Sequence, residues 1–104
     1  MKTYLVCLTH QEGRFATIIG GGEVAARKAI GLLDAGALIR VISPELHPNL
    51  AQLIDEGKAV AELRAYQPGL LASLGVEKLD LVIAATDDPD VNAAVWEEAS
   101  ELGC

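Results

Sequence analysis

Three consecutive glycines, Gly20, Gly21 and Gly22, stand between the apolar run Phe15-Ala16-Thr17-Ile18-Ile19 and the stretch Glu23-Val24-Ala25-Ala26-Arg27-Lys28. The first run is continuous and partly β-branched, as in a buried strand, and the second reads as the start of a helix. A chain with this junction has to turn from strand to helix within a few residues. Read as G-x-G-x-x-A, the junction puts Gly20 at the tight turn, Gly22 where a backbone must approach a pyrophosphate, and Ala25 where helix and strand pack closely. The same glycines also suit a purely structural turn. Their place directly after a strand and before a helix favours dinucleotide binding over that plainer account.

Beyond the junction the chain alternates between strand-like and helix-like periods, the signature of βαβ units. Met1–Cys7 reads as a strand, followed by a turn at Gln11-Glu12-Gly13-Arg14 and then the strand at Phe15–Ile19. The helix after the glycines places Ala25, Ala29, Leu32 and Leu33 on one face and ends at Gly36, a C′ glycine. Leu38–Ile42 is the second strand, and Ser43-Pro44-Glu45 a loop, because a residue before proline is pushed out of the helical region. A helix over Pro48–Glu56, with Leu50, Leu53 and Ile54 inward, stops at Gly57. Ala59–Leu63 is the third strand, and Pro68–Leu74 gives one or two helical turns with Leu70, Leu71 and Leu74 inward. Leu79–Ala85 is the fourth, apolar enough to suggest cover on both faces. Asp88 caps a last helix that Pro89 begins and Val91, Val95 and Leu102 anchor.

This order predicts an α/β class: a Rossmann-like parallel sheet in the order 3-2-1-4, flanked by helices on alternating sides and truncated before or at a fifth strand. One domain over residues 1–104 is expected. The first and fourth strands become neighbours, so the glycine loop and Thr86-Asp87-Asp88 should flank one crevice. A core of Leu, Ile, Val and Ala is expected from the 51% apolar and 4% aromatic composition. A formal charge of −7 opposes nonspecific contact with nucleic acid or anionic membrane. With no bilayer-long apolar run and no signal peptide, a cytoplasmic protein is expected. Cys7 and Cys104 are read as ordinary thiols, and the absence of C-x-x-C or H-x-x-x-H spacing speaks against a metal site.

The N–H groups around Gly22, Glu23 and Val24 at the helix start are the expected pyrophosphate donors, with the Glu23 carboxylate turned to solvent or ribose. An acid normally ends the second strand and grips the adenosine ribose. Here Ile42 and Ser43 occupy that place, so the ribose contact falls to the Ser43 hydroxyl, to backbone at Ser43 and Pro44, or to Glu45. Arg40 lies within the strand. Thr86 can donate a hydrogen bond into the crevice, and Ala84 and Ala85 would let a cofactor pass close. Trp96 is expected to pack a core edge or an interface. No triad or carboxylate pair is visible, and no catalytic residue is assigned.

The strings Ile19-Gly20-Gly21-Gly22-Glu23-Val24-Ala25-Ala26-Arg27-Lys28-Ala29, Val41-Ile42-Ser43-Pro44-Glu45-Leu46 and Ile83-Ala84-Ala85-Thr86-Asp87-Asp88 resemble the NAD-binding domain of precorrin-2 dehydrogenase, the N-terminal part of siroheme synthase. The resemblance covers nearly all of the chain. It implies NAD as cofactor, oxidation of precorrin-2 to sirohydrochlorin, and a homodimeric full-length protein. It also implies cofactor contacts at Glu23 and Val24 and at Pro44 and Glu45, with Thr86 nearby. The family's catalytic aspartate lies on a fifth strand, beyond Cys104, so no catalytic residue is carried over. The segment Leu74–Asn92 also resembles nucleotide-sensing regulatory domains of potassium channels and transporters, which bind but do not catalyse. Ala25, Ser43 and Arg27-Lys28 favour the dehydrogenase. A third reading is a half-Rossmann segment whose open sheet edge drives self-association.

Overall fold

The computed structural model describes residues 15–73 and 81–102. The expected strand over Met1–Cys7, the turn before Phe15 and the inward Leu74 lie outside those residues. Strand β1 spans Phe15–Ile19, helix α1 Glu23–Asp34, β2 Leu38–Ile42, α2 Pro48–Asp55, β3 Ala59–Glu62, α3 Leu70–Ser73, β4 Leu81–Ala84 and α4 Pro89–Glu101. All four strands run parallel, in the order β3-β2-β1-β4. The expected sheet order is the observed one.

Strand periodicity divides the core in two. Ala16 and Ile18 of β1, with Ile39 and Val41 of β2, pack against Ala25, Ala26, Ala29 and Leu32 of α1 and Leu50 of α2. Ile19 and Ile42 point the other way, into a cluster with Leu70 and Leu71 of α3 and Val95 and Ala99 of α4. Two helices therefore share each face, instead of alternating. The reason is directional: β1 to β2 to β3 advances one way across the sheet, so right-handed crossovers put α1 and α2 on one side. The step back from β3 to β4 reverses direction and moves α3 to the other side.

Alanines on α1 let its backbone lie close to the sheet, and Leu33 is left at the margin of that packing. Helices α1 and α2 stop at the expected glycines, Gly36 and Gly57. His47 caps α2 by accepting the Asn49 N–H at Nδ1 (3.1 Å), a cap that no sequence pattern marked. Asp88 caps α4 as expected, accepting the Asp90 N–H at 2.9 Å.

The cover expected on both faces of β4 is present: Leu81 and Ile83 pack with the α1 and α2 cluster, Val82 and Ala84 with the α3 and α4 cluster. One expectation needs correction. Of the core edge or interface expected for Trp96, the core edge is not where it lies: it projects from α4 with 66% of its surface exposed. The inward face of α4 is filled by Val95 and Ala99, and position 96 falls one step round the helix from it.

Candidate functional site

At the carboxyl ends of the parallel strands, a cleft of about 850 Å³ opens between the glycine loop, the β2–α2 loop and the loop after β4. Gly20, Gly22, Glu23, Val24, Ser43, Pro44, Glu45 and Thr86 all line it. It sits where the direction of chain progression reverses between β1 and β4, the position at which open α/β sheets take their ligands.

The glycine loop is held from both sides. Gly20 has φ of 131°, and a Cβ there would stand 2.5 Å from the Ala85 carbonyl oxygen of the neighbouring β4 exit. Gly20 N–H donates to Ile42 O (3.0 Å), and Ala85 N–H donates to Ile19 O (2.8 Å), so the ladder continues to the rim of the cleft. Gly21 was not singled out by the fingerprint, whose variable position it occupies, yet it is more confined than Gly20 or Gly22. A Cβ on it would collide with the Glu45 carbonyl oxygen and approach Ser43 Oγ to 2.6 Å. Its own carbonyl accepts the His47 N–H at 2.6 Å. The β2–α2 loop is thus locked onto the glycine loop through backbone contact at Gly21.

Gly22 is different. It is the N-cap of α1, in extended conformation, and a Cβ on it would meet no atom within 4 Å. No side chain caps this helix, so the first-turn N–H groups are turned to the cleft with the positive end of the helix behind them. Glu23 and Val24 are exposed at this rim.

Ser43 is buried, and its hydroxyl donates to Glu45 O at 2.7 Å while the Glu45 N–H lies 3.4 Å from the same oxygen. Its proton is committed within the loop, so Ser43 shapes the Pro44-Glu45 rim and leaves those two residues facing the cleft. Thr86 likewise differs from expectation. Its Oγ1 lies 2.7 Å from Asn92 Oδ1 and 3.1 Å from Asp88 O, and it accepts the Asp88 N–H at 3.2 Å. The hydroxyl proton points into this turn and not into the crevice. Asn92 completes the arrangement: its Oδ1 accepts the Thr86 N–H (3.2 Å) and its Nδ2 donates to Thr86 O (3.0 Å). No sequence pattern marked Asn92, although an Asn one helical turn past a capping Asp is placed to reach back to the strand exit. Asn92→Ala should leave both Thr86 backbone groups without their partner. A loss of about 1–2 kcal/mol in urea unfolding is expected, since the site is only partly buried.

The opposite wall is apolar, formed by Ala65, Tyr66, Ala84 and Val91. Tyr66 donates its hydroxyl to Glu98 Oε1 at 2.5 Å, with Ala94 O at 3.3 Å. Burial and the Glu98 carboxylate push the Tyr66 phenol well above its ordinary range. Burial opposes the charged form of Glu98, but the Tyr66 hydroxyl and the N–H groups of Ala72, Gly69 and Leu71 outweigh it and hold the carboxyl below its usual value. A carboxyl lowered on folding stabilises the fold above its unfolded pKa, about 4.3. That contribution is lost as pH falls through the lower folded value. Glu98→Gln should flatten the acid limb of the thermal stability profile below about pH 4.3 and leave its neutral region nearly unchanged in slope.

Arg40 is the cation closest in sequence to the Ser43-Pro44-Glu45 loop, but it lies mid-strand and stacks over the Phe15 ring, 5.8 Å from its centroid. Phe15 begins β1, at the end of the sheet away from the cleft. Glu23, Glu45 and Asp87 line the cleft, and no lysine or arginine does so among the described residues. Those residues also contain no His, Cys, Asp and Glu grouping able to hold a metal ion.

A family model described as "Putative NAD(P)-binding" matches residues 8–104. This chain belongs to that NAD(P)-binding family. It is 44% identical over 92 residues to a siroheme synthase of Pseudomonas paraeruginosa, covering 88% of this chain and 19% of that protein. A siroheme synthase of Pseudomonas entomophila is 46% identical over 96 residues, covering 92% of this chain and 20% of the relative. Among solved structures, the fold matches "SirC, precorrin-2 dehydrogenase" with a TM-score of 0.73 at 26% identity, over 90% of this chain and 44% of that one. The chain therefore spans about a fifth of the length of the curated relatives it matches. As a member of the NAD(P)-binding family it has the parallel sheet, the glycine turn and the strand-end cleft that such binding requires.

Proposed function

We propose that this chain is the NAD-binding domain, over residues 1–104, of a precorrin-2 dehydrogenase that yields sirohydrochlorin for siroheme synthesis. The observation that carries the proposal is the convergence of the three loops named above on one cleft, in a chain 44% identical to siroheme synthase. A dinucleotide suits this cleft. The uncapped first turn of α1 supplies N–H donors for a pyrophosphate, and the open space at Gly22 leaves room for it. When bound, the nicotinamide would accept the hydride.

The chain's own part is to bind and orient. Gly21 sets the Pro44-Glu45 rim beside the phosphate site, where the Glu45 carboxylate and the loop backbone can meet the adenosine ribose. Asn92 fixes the Thr86 backbone on the other flank. With acids and no lysine or arginine among the described lining residues, the rim favours the 2′-hydroxyl of NAD over the 2′-phosphate of NADP. The relatives named above are two siroheme synthases and a precorrin-2 dehydrogenase, not channel regulatory domains. A cytoplasmic location and a homodimeric full-length protein belong to the same proposal. No helix among the described residues is long and apolar enough to cross a membrane. Calorimetric titration tests the reading: NAD+ should bind in the micromolar range and NADP+ at least about tenfold more weakly. An absence of heat with NAD+ would sink it.

A further inference from the structure

The cleft has two chemically distinct ends. One is polar, made by the first turn of α1 and the Ser43–His47 loop. The other is built from Ile42, Ala65, Tyr66, Ala84 and Val91, and Tyr66 is its one aromatic side chain among the described lining residues. Tyr66 comes after β3, the outermost strand on the β2 side, yet its ring packs against the Ile19 and Ile42 cluster beneath the strand ends. Its hydroxyl reaches across to α4, where it donates a hydrogen bond to Glu98 Oε1. The other oxygen of Glu98 accepts the Ala72 N–H at 2.9 Å, so one carboxylate ties the tyrosine, α3 and α4 together.

We propose that Tyr66 is a binding residue for the adenine of the dinucleotide, its ring forming the wall the base rests against, and that Glu98 is the positioning residue holding that ring. The inference builds on the cofactor reading above. With phosphates at the α1 terminus and the adenosine ribose at the end of β2, the base is carried to the β2 and β3 side of the crevice. Tyr66 is the planar apolar surface available there. A flat heteroaromatic ring is suited to it because contact with an aromatic face needs no directional pairing. The hydroxyl fixes the ring without taking a donor or acceptor from the ligand, since its partner lies on α4 and outside the cleft lining.

Transferred nuclear Overhauser spectra of NAD+ and ADP on the full-length protein test this directly. Adenine protons should show cross-relaxation with an aromatic side chain, retained in Tyr66→Phe and absent in Tyr66→Leu. Affinity for NAD+ and for ADP should fall roughly tenfold in Tyr66→Leu, the scale of one lost base–aromatic contact. Tyr66→Phe and Glu98→Ala should each weaken ADP by roughly threefold, and the double variant should weaken it no further than either alone. A purely structural Glu98 would keep its effect in the Tyr66→Phe background, which overturns the positioning role. Undiminished NAD+ binding by a folded Tyr66→Leu, or cross-relaxation to nicotinamide in place of adenine, overturns the adenine assignment and leaves the cofactor reading standing. Failure of the unaltered protein to bind either ligand removes both.

Discussion

Gly21→Ala is expected to lower the unfolding free energy by about 2–3 kcal/mol, the scale of forced overpacking, and to weaken NAD+ binding at least about tenfold. The added methyl would collide with the Glu45 carbonyl oxygen and press on Ser43 Oγ. Neither neighbour can swing aside cheaply: one is backbone, and the other is a buried side chain engaged in its own loop. Relief requires the β2–α2 loop to lift away, which costs the hydrogen bond from His47 N–H to Gly21 O. Pro44 and Glu45 then leave their place opposite the α1 terminus. In a domain of this size the melting temperature should drop by roughly 10–20 °C, measurable by calorimetric scanning. A variant that melts like the unaltered protein would show that the two loops are not locked together.

Gly22→Asp, one residue on, should do the opposite to stability and worse to binding. Its Cβ enters empty space, and the extended conformation at Gly22 is open to any residue. Aspartate is also a strong N-cap, so its carboxylate should accept a first-turn N–H that no side chain takes now. Stability is expected to rise by a few tenths of a kcal/mol. The same carboxylate would fill and charge the proposed phosphate site. Repulsion of several kcal/mol weakens NAD+ by more than about a hundredfold. Scanning calorimetry and NAD+ titration on one preparation separate the two effects. Tight NAD+ binding by this variant would place the pyrophosphate elsewhere.

The contrast between adjacent glycines marks how far a linear pattern reaches. The G-x-G-x-x-A pattern picked out Gly20 and Gly22, and both stand at the cleft. It treated Gly21 as a free position, because the atoms that confine it come from Ser43 and Glu45, more than twenty residues away. Ser43 and Thr86 were identified by place but not by orientation. Each carries a hydroxyl near the crevice, and in each the proton is taken by a local turn. Tyr66 and Glu98 had no signal, since each acts through a partner on another element.

Strand and helix identities, the stops at Gly36 and Gly57, the Asp88 cap and the sheet order were determined by the sequence. They arise from short-range periods, backbone preferences and the handedness of crossovers, all of which act over neighbouring residues or consecutive units. Tertiary structure alone decided which glycine is locked, that Trp96 is turned outward, and that a tyrosine after β3 reaches Glu98 on α4. Those outcomes depend on where distant backbone and side-chain atoms meet, and a one-dimensional pattern carries no information about a collision between two loops.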